Sequence, residues 1–575
     1  MSLLNPPKLL LGRCILPSTH LKDVFKWCSI PIKLSEKLCT TARAEEQDVI
    51  DNIFPDVKGT AQPIPKNYFK KSKNLRSGKF ENDPKNNSPG ELANNSNKHA
   101  IIECKHKRLN HYINQKYDKL AAIPLASKGW FNKEARGDYF KINILPEDKR
   151  NDVFWFDGID SFGCLGLDKN IVETLEKLGF SKPTYIQAFG IPEVLNNQNT
   201  LLAGETGCGK TLAYLIPLVQ EIMRWRTFTP NRKLNCPLAI VLVPGKELTF
   251  QIADVADRLA KELLFDIEVA VGGHTKRMIS HPNFRPVDLF VCSIGAARKL
   301  TAAGIFNMSY VRHVVLDEAD TCLDDSFNES LVNYLKYFPI SFGKHPGDEV
   351  NRLPQFSKLT LASATMPTSI APILGKIIQP ESLVTVESPR LHQVLVHVPQ
   401  IFHRLGQSQK PPKLLELAKK NAKQGRPTII FSNRSKVSDW VSMFLNENGI
   451  SCVNLNGDMP VDIRAGRFDQ FQRGFVDFLS CTDMVSRGLD TIRAKHVLNY
   501  DFPVYMADYI HRCGRVGRVG HIDNCMITNF VASDSEIELV RKIETAVRTM
   551  KVLPNVNANI TRVIHHKIMK NTLPK

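Results

Sequence analysis

The chain has 575 residues, 43% of them hydrophobic, which is enough for two domains with buried cores plus extensions. Its formal net charge of +18 points to a polyanionic partner and a salt-sensitive association. The thirteen cysteines form no C-x-x-C pair and no Cys/His cluster of ligand spacing, and no apolar run reaches the roughly eighteen residues that span a bilayer, so neither a zinc module nor membrane insertion is expected.

The first 21 residues contain no acid, and Lys8 and Arg13 punctuate a leucine-rich run. Leu9-Leu10-Leu11 is too short for a secretory core, and the basic, acid-poor composition makes residues 1–40 a candidate mitochondrial presequence. Asn5-Pro6-Pro7 works against a helix there, and a plain tail is the alternative. Residues 41–158 read as a basic, mostly irregular extension. Positions 58–120 hold fourteen Lys/Arg against five Asp/Glu, and 77–98 nearly lack large apolar residues, the composition of a disordered segment.

Thr200-Leu201-Leu202-Ala203 reads as a buried strand. It runs into Gly204-Glu205-Thr206-Gly207-Cys208-Gly209-Lys210-Thr211, which fits G-x-x-x-x-G-K-[ST] at every fixed position. The backbone N–H groups of such a loop cradle phosphate oxygens, Lys210 neutralises charge and Thr211 reaches Mg²⁺. Apolar runs at 238–243, 289–292, 311–316 and 359–362 alternate with helix-period segments such as 246–264, the pattern of a parallel α/β domain. The third run delivers Asp317-Glu318-Ala319-Asp320, where Asp317 can hold the metal through water and Glu318 can polarise an attacking water.

Residues 380–398 turn to loop-forming composition, which sets a linker at 387–399 after a first domain at 159–386. A second strand series, at 427–431, 451–455, 476–481, 496–498 and 524–530, predicts a second domain at 400–550. Within it Arg515 and Arg518 lie three apart and face one way on a helical turn, either as a solvated basic face or as paired arginine fingers. A basic tail, 551–575, closes the chain. Cys208 inside the phosphate loop and Cys513 beside the arginine pair suit a reducing compartment.

From about Phe162 to about Ile543 these motifs resemble the DEAD-box RNA helicases. The resemblance rests on Gly179-Phe180-Ser181-Lys182-Pro183-Thr184-Tyr185-Ile186-Gln187, the phosphate loop, the acidic box, Ser363-Ala364-Thr365, Thr482-Asp483 with Arg487-Gly488-Leu489-Asp490, and the final motif from Tyr509 to Gly520. It implies an α/β fold of two tandem RecA-like domains, with ATP and Mg²⁺ as cofactors and RNA as partner. It also implies that Phe162, Phe180 and Gln187 sense adenine, and that Gly204, Glu205, Thr206, Gly207, Cys208, Gly209, Lys210 and Thr211 hold phosphates. Gly488 and Asp490 complete the nucleotide site, with Asp490 at the ribose. Lys210, Asp317, Glu318, Asp320, His511, Arg515 and Arg518 are the implied catalytic set, with His511 bridging to the acidic box and Thr211 and Asp317 toward the metal. The Ser363 and Thr365 hydroxyls are expected to reach Asp320 and couple nucleotide state to domain position. RNA is expected at Pro244, Lys246, Gly272, Gly273, Ser293 and Gly295 on one domain and at Asn433, Gly457, Arg464 and Thr482 on the other. Domain closure then builds one RNA groove, bends the strand and opens a short duplex, and hydrolysis releases it.

The sequence departs from the family on the RNA side. Pro244-Gly245-Lys246-Glu247-Leu248 lacks a threonine and offers a point charge where the family has an arginine fork, and Ser293-Ile294-Gly295-Ala296 lacks proline and arginine. Groove contacts are expected to lean more on basic side chains elsewhere. Within the family, Pro124-Leu125-Ala126-Ser127-Lys128-Gly129-Trp130, the string from Asp320 to Phe327, Asn499-Tyr500-Asp501-Phe502-Pro503 and the Val516/Val519 pair resemble the mitochondrial members linked to large ribosomal subunit assembly. That implies ribosomal RNA and assembling subunits as partners, a monomeric chain and the mitochondrial matrix, with the nucleus or nucleolus as the alternative. The Trp130 element has either a docking or RNA role, or plain local packing. An RNA remodeller, a nucleotide-gated RNA clamp and a DNA translocase remain as functional classes, the last disfavoured by the adenine-sensing element.

Overall fold

The computed structural model describes residues 99–118, 122–156, 158–196, 198–323, 328–342, 352–366, 373–483 and 491–556. The expected presequence, the 77–98 stretch, residues 324–327, Gly488, Asp490 and the last part of the basic tail lie outside the described residues. Three strands precede the first domain: β1 (Ala100–Cys104), β2 (His111–Tyr112) and β3 (Tyr139–Ile142). The first domain adds β4 (Thr200–Ala203), β5 (Ala239–Val243), β6 (Ile267–Ala270), β7 (Leu289–Ser293), β8 (His313–Leu316), β9 (Lys358–Ser363) and β10 (Val384–Glu387). The second adds β11 (Gln400–Arg404), β12 (Thr428–Ser432), β13 (Cys452–Leu455), β14 (Phe478–Thr482), β15 (His496–Asn499) and β16 (Met526–Val531).

The first sheet runs β10-β4-β9-β8-β5-β7-β6, and every neighbouring pair is parallel. Every residue of β4, β5, β7, β8 and β9 is buried, because helices such as Lys210–Phe228, Lys246–Leu263 and Ile294–Ala302 cover both faces of the sheet. At the N-terminal ends of its central strands β8 and β9 a buried ionic group replaces apolar packing. Glu221 pairs with Lys358 and accepts from His313, while Lys358 Nζ also donates to Val194 O at 2.8 Å. Burial alone would raise Glu221, but the Lys358 charge and the His313 contact hold it below the ordinary carboxylate range.

The second sheet runs β13-β14-β12-β15-β16-β11-β3-β1-β2. Its first six strands are parallel, whereas β3 lies antiparallel to β11, β1 to β3 and β2 to β1. The extension expected to be irregular over 41–158 is therefore corrected for its described part. Ile101, Ile102, Cys104, Trp130, Phe140 and Ile142 join the core of the second domain, and Phe140 stacks on Phe402 with ring centroids 4.8 Å apart. Charge-rich composition masked these strands, yet without them β11 would be an open sheet edge.

The Ala126–Phe131 turn locks this segment down. The Glu544 carboxylate accepts from Ala126 N (2.7 Å), Ser127 N (3.0 Å) and Ser127 Oγ (2.6 Å), and pairs with Arg548 at 2.8 Å. Arg548 in turn donates to Leu109 O at 2.7 Å and Tyr117 Oη at 3.0 Å. Trp130, 1% exposed, fills the pocket beneath, and its carbonyl accepts from Arg404 Nε at 2.8 Å. Of the two roles open for this element, the structure shows the packing one: Trp130 is buried in the chain's own core. Past β3 the chain crosses to the first domain beside the linker, where Leu145 N–H donates to Val396 O at 3.2 Å and Val153 and Phe154 enter the first domain's core.

Candidate active site

The phosphate loop turns between β4 and the helix Lys210–Phe228 through Gly207 (φ 85°) and Gly209 (φ 97°), both left-handed positions that a Cβ would strain. Lys210 Nζ donates to Gly204 O at 2.6 Å and Glu205 O at 2.9 Å. The loop is braced from behind, with Thr184 Oγ1 donating to Cys208 O at 2.8 Å and Gln187 Nε2 to Gly209 O at 3.2 Å. Gln187 also closes a capping box, its Oε1 accepting Thr184 N–H at 2.9 Å. Its amide thus serves the loop rather than standing free for a purine edge. Phe162, expected to help sense adenine, is 2% exposed inside the first domain's core, and Phe180 packs against that core.

The acidic box begins where β8 ends. Asp317 accepts from Tyr214 Oη at 2.8 Å and from Glu318 N at 2.8 Å, while Thr211 opens the neighbouring helix directly after Lys210. Burial, reinforced by the Glu318 charge, pushes Asp317 up to about 6. Glu318 adopts φ 48°, a left-handed conformation costly for a side-chain-bearing residue, and its Oε2 is buried without a hydrogen-bond partner among the described residues.

Asp320 accepts from Thr365 N (3.0 Å) and Thr365 Oγ1 (2.8 Å), and His511 Nε2 of the second domain lies 3.6 Å away. Burial would raise Asp320, yet His511 and the Thr365 hydroxyl hold it well below the usual carboxylate range. The Ser363 hydroxyl does not reach Asp320; it donates to Thr365 O and shapes the turn instead.

The helix Met506–Cys513 ends before the arginine pair, so Arg515 and Arg518 do not share a helical face as expected. Gly514 and Gly517 (φ 69°) break the helix into a turn that lies on the first domain. Arg515 Nη2 stands 3.9 Å from Glu318 Oε1, and a Cβ on Gly207 would meet Arg518 Cγ at 2.8 Å. Burial pulls Arg518 down to about 10 against the opposing Glu318 charge.

The expected RNA positions lie at the C-terminal ends of strands on both sheets, where open α/β sheets bind ligands. Pro244 and Lys246 follow β5, Gly272 and Gly273 follow β6, and Ser293 ends β7 just before Gly295. Lys246 Nζ lies over Gly273, 3.3 Å from where a Cβ would stand, while Gly272 and Gly295 face open space. On the second domain Asn433 follows β12, Gly457 follows β13, Thr482 ends β14 and Arg464 sits on the helix Val461–Gln472. Asn433 is engaged internally: its Nδ2 donates to Phe502 O at 2.9 Å and its Oδ1 accepts from Arg512 at 2.6 Å. Arg512, fully buried and forked onto Asp483 at 2.5 and 2.6 Å, organises these loop ends, a role the motif alone does not reveal.

Residues 184–373 match the DEAD/DEAH box helicase family, and residues 409–520 match the helicase conserved C-terminal domain. The chain is 34% identical over 472 residues to the Mus musculus probable ATP-dependent RNA helicase DDX28, covering 80% of this chain and 86% of that protein. The Homo sapiens DDX28 is 33% identical over 469 residues with the same coverage. The S. cerevisiae Dbp5 structure bound to RNA and ADP BeF3 superposes with a TM-score of 0.57 at 23% identity, over 72% of this chain and 100% of that one. DEAD-box helicase Mss116 bound to ssRNA and UDP-BeF gives 0.57 at 22% identity, over 68% and 78%. These structural likenesses establish the shared two-domain fold.

Proposed function

The chain belongs to the DEAD-box family of ATP-dependent RNA helicases, RNA-dependent ATPases by type, and we propose that it remodels structured RNA through a catalytic centre split between its two domains. One observation supports this above the rest. Loops from both domains meet at the acidic box, with Arg515 at 3.9 Å from Glu318 and His511 at 3.6 Å from Asp320. The loop 204–211 would hold the ATP phosphates, and Lys210, which here donates to its own loop carbonyls, would supply the positive charge that neutralises them. Glu318, held in a strained backbone with one carboxylate oxygen unsatisfied, orients the attacking water. Arg515 and Arg518 stabilise charge developing on the γ-phosphate. The donor set of Asp317 and Thr211 suits Mg²⁺, which is typically bound through one or two carboxylates plus phosphates and water and supplies charge neutralisation. Asp320 and Thr365 relay the arrival of His511 to the first domain, so turnover requires closure.

RNA runs along the strand ends from Lys246 and Gly273 to Arg464 and Thr482, with basic segments outside the core adding phosphate contacts. Ribosomal RNA of the large mitochondrial subunit is the proposed target and the mitochondrial matrix the proposed compartment, supported by the acid-poor start and by the resemblance of the Pro124–Trp130 string to the mitochondrial members of the family. The altered groove motifs and the internal engagement of Asn433 favour, as a second reading, an ATP-gated RNA clamp with little unwinding. ATPase and strand displacement, measured together on full-length protein, test both. Glu318→Gln is expected to abolish RNA-stimulated hydrolysis. A Glu318→Gln protein that turns over like wild type refutes the mechanism, and hydrolysis without displacement favours the clamp.

A further inference from the structure

Two histidines in the linker reach the catalytic loops on either side of it. His392 takes a left-handed conformation (φ 60°), and its Nε2 accepts the Met366 N–H at 3.2 Å, one residue beyond Thr365. Its carbonyl accepts the Leu553 N–H at 2.8 Å, which ties the linker to the end of the second domain. His397 is 3% exposed, and its Nε2 lies 2.7 Å from Gly517 O, midway through the turn that carries Arg515 and Arg518. A carbonyl only accepts, so this nitrogen carries the proton. Burial keeps the ring neutral, with its pKa down at about 4 despite the Gly517 contact.

The turn rests directly on the linker. A Cβ on Gly517 would stand 2.2 Å from Val398 Cγ2 and 2.8 Å from His397 Nε2, so only glycine at φ 69° permits this approach. The segment crossing from β3 backs the contact from the far side. Phe154 meets the His397 ring edge-on with centroids 4.9 Å apart, and Arg390 of the linker donates to Val153 O. A loop placed on glycines has little stiffness of its own, and Arg515 and Arg518 inherit whatever position Gly517 is given.

We propose that His397 is a positioning residue for hydrolysis: by holding Gly517 O it fixes the turn that presents Arg515 and Arg518 to the first domain. The linker is then a structural part of the catalytic centre and not a tether alone. This rests on the reading of the two arginines as γ-phosphate ligands. It accounts for a histidine buried and neutral beside Arg390, where a leucine would pack equally well against Phe154.

The test is steady-state, RNA-stimulated ATPase on the full chain carrying His397→Leu or His397→Gln. Loss of one placed hydrogen bond in the leucine variant is expected to lower kcat about tenfold. The KM for ATP and RNA affinity in a non-hydrolysable ATP analogue are expected to stay within about twofold. Glutamine, whose amide N–H can reach the same carbonyl, is expected to restore most of the rate. Combining His397→Leu with Arg518→Ala is expected to give no further loss, since both act through one turn. Wild-type kcat in the leucine variant, a loss that glutamine shares along with a fallen melting temperature, or full additivity with Arg518→Ala overturns the proposal. If wild type itself shows no RNA-stimulated turnover, the functional reading falls first and this inference with it; the other outcomes refute the inference alone.

Discussion

Replacing Glu544 by alanine is expected to release the Ala126–Phe131 turn from the second domain. The carboxylate is fully buried, receives two backbone N–H groups and the Ser127 hydroxyl, and neutralises Arg548, which is equally buried. Removing one partner of a buried ion pair costs about 3–5 kcal/mol, because the remaining charge is left in a poorly solvating interior. The Ala126 and Ser127 N–H groups, left without an acceptor, would add about 1–3 kcal/mol each if they stayed buried. That sum is more than a packed turn around one tryptophan can carry, so the segment releases into water instead. At about 2–4 °C per kcal/mol for a domain of this size, the pair term alone lowers the melting temperature by about 6–20 °C. Thermal melts and limited trypsin digestion read this out, with accelerated cleavage after Lys128 and Lys133. The double replacement Glu544→Leu with Arg548→Met is expected to recover part of the loss, since no orphaned charge remains. A Glu544→Ala protein that melts within about 1 °C of wild type, with an unchanged digestion pattern, refutes the docking argument.

Acidification provides a second check. His397, His403 and His496 are each held neutral by burial, with pKa values near 4, 4 and 3 against an ordinary 6.5. The unfolded chain therefore takes up protons first. Stability is complete above pH 6.5 and falls toward pH 4 by up to about 1.4 kcal/mol per pH unit for each histidine. Melting temperatures that stay flat between pH 6.5 and 4.5 contradict this. Thiol chemistry supplies a third test. Burial pushes Cys208 and Cys513 up to about 12, so a thiol-alkylating reagent at neutral pH is expected to leave ATPase activity intact while labelling exposed Cys164. Rapid inactivation with adduct on Cys208 would show that the phosphate loop opens far more than its packing implies.

The chemistry of the site is written in contiguous residues. A loop that cradles phosphate needs glycines and a lysine at fixed spacing, and acids at a strand end need an apolar run before them, so 204–211 and 317–320 are legible from the chain alone. The strand series is legible for the same local reason, because a strand covered on both faces must be apolar throughout.

Tertiary structure decided whatever depends on residues far apart in sequence. Ser127 and Glu544 are separated by 417 positions, and β3 finds β11 across the whole of the first domain. No local pattern encodes either pairing, and the surrounding charge hid the strands. Phe162 becomes core and Gln187 a brace for the phosphate loop because burial and hydrogen-bond satisfaction are settled by all the neighbours of a side chain at once. The arginine pair leaves its helix for a glycine turn that rests on the linker, and His397 acquires its partner only when the linker packs against that turn, 120 positions further along the chain. Local spacing fixes which groups can do the chemistry; long-range packing fixes where they stand.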